Sequence, residues 1–172
     1  VAAEVKHIIP HDHMDVCIIT LGDGKYHTAH ESGFETGWGT NPPAPISQSP
    51  IRQVLYGEVE TMLTDDASTD PRFHYEGSFS SPIIEYNLHA RLHVPLKVQG
   101  EIIGALSCSS HEIGIYTEED VEKARSIADL LAPYFFALRA AEQAKRSAIV
   151  EVEARAREEG LRLGALKLTV FF

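Results

Sequence analysis

Nine histidines in 172 residues are the first side chains here whose type and spacing could do chemistry. His11 and His13 form His-x-His directly after Pro10. Side chains two apart on an extended strand share a face, so this pair could chelate a metal. The plainer reading is a solvated turn, because "HDHMD" is polar and spacing supplies no third ligand. His27 and His30, three apart on a presumed strand, face opposite ways and make poor partners. His89 and His93 share a face only if both lie in one strand. Haem is the second chemistry open to histidine, since neutral imidazole is its usual axial ligand. His74, His89 and His93, near an aromatic segment, are the candidates for it, with satisfied or exposed imidazoles as the simpler alternative. No short haem motif accompanies them.

The nucleophiles are fewer. Cys17 and Cys108 both lie in apolar, strand-like runs, where a free cysteine behaves as a small buried hydrophobe. Two cysteines do not make a disulfide framework. Ser107, Ser109, Ser110 and His111 are neighbours in sequence, but a catalytic triad is defined by geometry. No Gly-x-Ser-x-Gly, His-Glu-x-x-His or phosphate-loop pattern is present, so the sequence points away from an enzyme.

Binding chemistry is better represented. Trp38, Phe73, Tyr75, Phe79 and Tyr86 gather in loop-rich segments, with His89 and Arg91 close behind. Such aromatics either line a ligand pocket or pack the segment onto the fold and fill the space themselves. These seven residues form the candidate ligand-binding set. Arg91 and Arg72 are two of only six Lys/Arg in residues 1–116. A buried Arg91 needs a partner, because an unpaired buried charge is costly. A carboxylate-bearing ligand is one such partner; Glu85 or Asp70 is the internal one.

Charge restricts the partners. The net charge is −10, and residues 1–116 carry 15 Asp/Glu against 6 Lys/Arg. That surface repels phosphates and no basic patch offsets it, which argues against nucleic-acid binding. No apolar run approaches the roughly 20 residues of a membrane span. With no secretory signal in view and reduced-looking cysteines, a cytoplasmic location is expected. The chain does not begin with Met and reads as a piece of a longer protein.

The elements that must position these residues follow from pattern. "VAAEVKHII" suits the end of an amphipathic helix, stopped by Pro10. "VCIITL" (16–21) is an apolar, β-branched strand, "GDG" a turn, and "KYHTAHES" a second strand. Residues 33–45 are loop by their glycines and prolines. Residues 47–57 form a short helix capped by Ser47 or Ser49 and ended by Gly57. "EVETML" is a strand, and 64–90 is an irregular, aromatic-rich cover. A hairpin follows: strand 91–97, a turn at Gln99-Gly100, and strand 101–109. Leu92, Val94 and Leu96 share one face with Ile102, Leu106 and Cys108 of its partner. Arg91, His93 and Pro95 share the other with Ile103, Ala105 and Ser107. The first face suits a helix layer; the second is small and mixed, as a lined cavity would be. Thr117 then caps a helix running to about Gly160, with a kink or boundary expected near Ala132 because of Pro133.

"SQSPIRQVLYGEVETMLTDDASTDPRF" (47–73), "RLHVPLKVQGEIIGALSCSS" (91–110) and "YTEEDVEKARSIADLLAPYFFALRAA" (116–141) together resemble the GAF family of bacterial sensory domains. The resemblance implies an α+β fold over about 1–142. Its centre is an antiparallel sheet of five to six strands. The N- and C-terminal helices pack on one face, with a ligand pocket on the other. It also implies a role: a non-catalytic small-molecule sensor passing its state to an effector in the same chain. The effector expected is a histidine kinase of a two-component system. A transcription activator, a haem- or metal-based redox or gas sensor, and a ligand-free dimerisation module are the alternatives. The ligand itself stays unknown. The Asn-Lys…Phe…Asp-Glu pattern of the cyclic-nucleotide branch is absent. Cys17 and Cys108 do not match the loop cysteine of the bilin branch, or the several cysteines of the members that reduce methionine sulfoxide.

Residues 143–172 read as a signalling helix. A heptad-like series runs through Leu131, Tyr134, Leu138 and Ala141 to Lys145, Ala148 and Val152. Leu131, Tyr134, Leu138 and Ala141 are therefore the expected homodimer seam, continued as a coiled coil.

Overall fold

The computed structural model describes residues 2–34, 36–78 and 81–170. The chain divides into two compact units, Val1–Phe136 and Ala137–Phe172. The expected boundary at 142 falls slightly further along the same helix.

In the first unit, α1 (Ala2–Ile8) leads into β1 (His13–Ile19) and β2 (Lys25–Gly33). A two-residue β3 (Ala44–Pro45), α2 (Arg52–Leu55) and β4 (Met62–Thr64) follow. Then come α3 (Ser81–Glu85), the hairpin β5 (Ala90–Val98) and β6 (Glu101–Ser110), and α4 (Glu118–Val170). The six strands form one antiparallel sheet in the order β3-β2-β1-β6-β5-β4. The longest strand, β6, is thus central beside β1, with its hairpin partner β5 on the other side.

The hairpin turn is tight because Gln99 and Gly100 both take positive φ, at 52° and 83°. Two left-handed residues in succession match the right-handed twist of the flanking strands. The register sorts the two faces. Leu92 pairs with Cys108, Val94 with Leu106 and Leu96 with Gly104, while Met14, Val16 and Ile18 continue that face across β1. All of those hydrophobic side chains are buried. The helices supply the cover: Val121, Ala124, Ala128, Ala132 and Phe135 of α4 are buried at three- and four-residue spacing, as are Val5 and Ile9 at the other end of the chain.

The opposite face carries Arg91, His93 and Pro95, paired with Ser109, Ser107 and Ala105, and these in turn with His13, Asp15 and Cys17. Part of this face is filled by an apolar cluster including Cys17, Ala105, Val54, Leu55, Met62, Phe73 and Leu88. The rest is open.

Four local expectations are corrected. β1 begins at His13 rather than Val16, so "HDHMD" is not a solvated turn: His11 and His13 are both buried, and His11 Nδ1 donates to Ile9 O at 2.8 Å. The β1–β2 register shifts between Val16 and Cys17, so His30 pairs with Val16 and His27 with Ile18. Those partners lie on the same face of β1, so one extra residue in β2 cancels the odd spacing of the two histidines. The helix expected over 47–57 shrinks to a 3₁₀ turn at Ile46–Gln48 and the single turn of α2. Finally, of the kink or boundary expected at Pro133, the boundary is not there: Pro133 lies inside α4, and the helix continues through Gly160. A proline removes only one backbone bond, and buried Ala132 and Phe135 hold the helix on either side. Thr117 does cap α4. Thr117 N donates to Asp120 Oδ2 at 2.9 Å, and Asp120 N to Thr117 Oγ1 at 3.4 Å.

Candidate functional site

A cavity of about 470 Å³ opens on the uncovered half of the sheet. Its floor is Asp15 and Cys17 of β1, Tyr26 and Thr28 of β2, Arg91 of β5 and Ser107 of β6. Its roof is the segment from Trp38 to Ile51, mainly Pro42, Pro43, Ala44, Pro45, Pro50 and Ile51, with Ile83 at one side. The expected cover was 64–90. The roof falls earlier in the chain because prolines cannot donate to a ladder, so this run joins the sheet edge only through the two residues of β3 and otherwise crosses the cavity.

Trp38 is placed by a polar anchor. Gly37 takes φ 77°, which lets the chain reverse into the 3₁₀ turn Trp38–Thr40. Trp38 N donates to Thr36 Oγ1 at 3.2 Å, and Gly39 N to Glu31 Oε1 at 3.2 Å. The Thr36 hydroxyl donates to the other oxygen of Glu31, which also accepts from His13 Nε2 at 3.4 Å. Partial burial pushes the Glu31 carboxyl up, but the bonds from Thr36, Gly39 and His13 outweigh it and hold it below its ordinary value. The indole then rests edge-on against the His13 ring, with centroids 4.8 Å apart.

The polar floor is ordered by its donors. Arg91, 3% exposed, donates from Nε to His93 Nε2 at 3.2 Å. A guanidinium only donates, so His93 Nε2 must be bare and Nδ1 must carry the proton. Nδ1–H then donates to Ser107 Oγ at 2.9 Å, and Ser107 stands opposite Asp15 in the β1–β6 register. Burial, with Arg91 and then Arg72 nearby, drives the His93 pKa far down, so the ring stays neutral. Burial pushes the Asp15 carboxyl up, against the attraction of Arg91 and His13. Burial likewise lowers Arg91, against the pull of Asp15.

This relay leaves atoms over. Arg91 Nη1 and Asp15 Oδ1 are buried with no hydrogen-bond partner. The nearest ion-pair contact of Asp15 is His13 Nδ1, at 3.9 Å. The internal partners foreseen for Arg91 are not there. Asp70 is taken by Arg72, which also reaches Leu63 O at 2.9 Å and Thr64 Oγ1 at 3.1 Å. Glu85 is exposed. What flanks Arg91 instead is aromatic: its guanidinium carbon lies 5.9 Å from the centroids of both Trp38 and Phe73.

Of the seven candidate ligand residues, Trp38 and Arg91 line the cavity. Phe73 is buried in the apolar cluster behind Arg91. Tyr75 sits on the outer side of the roof, where its hydroxyl donates to Ser49 O at 2.9 Å and Arg52 stacks 3.9 Å above its ring. Tyr86 packs on Phe34 and donates to Thr36 O at 3.3 Å. His89 faces away, with Nδ1 2.9 Å from Asp66 Oδ1. Phe79 lies outside the described residues. Asp15 and Ser107 are the floor residues that sequence reading missed as a site. Their signal was the alternation His13, Asp15, Cys17, which becomes visible only if the strand is started at His13.

The thiols offer little chemistry. Burial raises both Cys17 and Cys108 to about 12, and the register puts them on opposite faces of the sheet. Among the described residues no group of three or more His, Cys, Asp or Glu side chains could hold a metal ion.

The family profile of the GAF domain matches residues 1–134. The chain belongs to the GAF domain family. Solved structures agree in fold. The GAF domain of a phosphoenolpyruvate-protein phosphotransferase from Coxiella burnetii superposes with a TM-score of 0.65 at 21% identity, over 82% of this chain and 81% of that one. The domain of a two-component sensor histidine kinase protein from Sinorhizobium meliloti gives 0.62 at 14%, over 84% and 91%. The type II free methionine-R-sulfoxide reductase of Thermoplasma acidophilum gives 0.60 at 20%, over 76% and 84%. A comparison with curated proteins gives no match. GAF domains are generally regulatory, yet the fold also carries enzymes, as the reductase shows. No described helix of this GAF domain is long and apolar enough to cross a membrane.

Proposed function

We propose that this GAF domain is a non-catalytic, cytoplasmic small-molecule sensor, the input domain of a sensor histidine kinase. Its ligand state passes through a dimeric signalling helix over 143–172. The observation that carries the reading is the cavity floor, where a guanidinium and a carboxylate, those of Arg91 and Asp15, line open space and each keeps a buried polar atom without a partner. A domain evolved only to pair with itself has no reason to keep two charges out of water unpaired, since removing both would stabilise it. The hairpin that carries Arg91, His93 and Ser107 runs directly into α4 through residues 111–117, so a shift of the floor has a short covalent route to the output helix. The dimer seam is proposed through Leu131, Tyr134, Leu138 and Ala141. Tyr134 and Ala141 are exposed, Leu131 and Leu138 half-buried, and the fully exposed Leu130 adjoins them.

A thermal-shift screen over small metabolites tests the sensor reading. A ligand present at about 100 times its dissociation constant adds ~2.7 kcal/mol of stability. A saturable rise in the midpoint is expected. A broad screen in which no compound moves it would leave the dimerisation-module reading in its place.

A further inference from the structure

We infer that the ligand is a small carboxylate bearing a hydrogen-bond donor on the adjoining carbon — an α-amino or α-hydroxy acid — with an apolar side group. This rests on the sensor reading above and goes further by assigning the polar groups. Arg91 Nη1 is a buried donor without an acceptor, and Asp15 Oδ1 a buried acceptor without a donor. Both residues are on the cavity wall. A ligand on this wall meets a guanidinium that can only donate and a carboxylate that can only accept, which offers a place to one accepting group and one donating group. His93 and Ser107 stand between the two charges and keep them from closing on each other. Both ring nitrogens of His93 are already used, one toward Arg91 and one toward Ser107. A carboxylate meets Arg91 with charge-assisted bonds in a dry site, where such bonds are strongest. An ammonium or hydroxyl meets Asp15. The aromatic faces of Trp38 and Phe73 beside the guanidinium fix its plane, which favours a planar acceptor over a spherical anion. The remainder of the wall, with Cys17, Pro42, Pro43, Pro45, Ile51 and Ile83, offers an apolar body its place. A purely cationic ligand is repelled by Arg91, and a neutral one forgoes the charge-assisted bond that a carboxylate makes to it.

The test is calorimetric titration of the whole chain. The probes are leucine, methionine, phenylalanine and tryptophan, their α-hydroxy counterparts, and three controls for each binder. The controls are its methyl ester, the carboxylate without the donor, and the amine without the carboxylate. At least one parent acid is expected to bind, and its ester and decarboxylated amine to bind about tenfold weaker or worse. Amino against hydroxy probes decide which donor Asp15 takes. Arg91→Met should abolish the carboxylate preference, and Asp15→Asn should remove the advantage of the donor. Far-UV circular dichroism shows that each variant is folded. If Arg91→Met does not fold, Arg91→Lys, which keeps the charge and loses the planar fork, should weaken binding on its own. Esters binding as well as acids, or binders found in the metabolite screen while every acid fails, would overturn this inference and leave the sensor reading standing. Silence in both experiments would remove both.

Discussion

Asp15→Asn should make the unliganded domain more stable, though it alters the floor of the site. In the native floor, the buried Asp15 Oδ1 has no hydrogen-bond partner, and His13 Nδ1 stands 3.9 Å from it. Both atoms are buried and neither has a partner at hydrogen-bond distance. A buried group left unsatisfied costs about 1–3 kcal/mol. An asparagine has no charge to desolvate and offers both an acceptor oxygen and an amide donor to the groups around it. The expected gain at pH 7 is about 1–2 kcal/mol, which in a unit of this size raises the melting midpoint by roughly 3–6 °C. The pH dependence has a fixed sign. Burial raises the Asp15 pKa above its ordinary 3.8, against Arg91 and His13, with Ser107 also lowering it and Glu31 raising it. The folded state therefore holds this proton more tightly than the unfolded chain. The contribution of Asp15 is most favourable below the ordinary value and is lost as pH rises through the folded one. The gap between variant and parent should accordingly be widest at neutral pH and close as pH falls toward 4. Thermal melts of both proteins across that range measure it. A variant less stable than the parent at pH 7, or a gap that does not change with pH, would refute the account of the floor.

Two further outcomes follow from other parts of the fold. A methyl group at Gly104 would lie 2.0 Å from the Cys17 carbonyl oxygen, so Gly104→Ala should cost about 3 kcal/mol in urea unfolding by forcing β1 and β6 apart; a loss under ~1 kcal/mol would show that the pair yields easily. Leu138→Glu should raise the dimer dissociation constant about tenfold or more, as read by light scattering, with the far-UV spectrum unchanged; a parent that stays monomeric at high concentration would end the dimer proposal.

The division between sequence and tertiary structure runs through particular residues. Alternation in 91–109 was enough to sort Arg91, His93, Ala105 and Ser107 from Leu92, Val94, Leu96 and Leu106, because side-chain period is a local property of a strand. The turn at Gln99-Gly100 and the Thr117 cap were legible for the same reason: each depends on residues within a few positions of one another. What pattern could not show was any feature set by a neighbour distant in the chain. His13 and Asp15 are polar, so nothing local marks them as strand. They are strand because Ser109 and Ser107 lie opposite and hydrogen-bond their backbone. The odd spacing of His27 and His30 is cancelled by a register shift that exists only in the pairing with β1. Which loop roofs the cavity was decided by competition for the sheet face. Phe73, Ile83 and Leu88 bring 64–90 into the apolar cluster, and the proline run from Pro42 is left to span the opening. The sequence alone put an arginine at the site and showed that it needed a partner. Only the folded chain showed that Asp70 belongs to Arg72, that a neutral histidine and a serine hold Asp15 and Arg91 apart, and that both line an open cavity. The physical reason is that burial and partnership are properties of assembled surfaces, whereas periodicity and capping are properties of the chain.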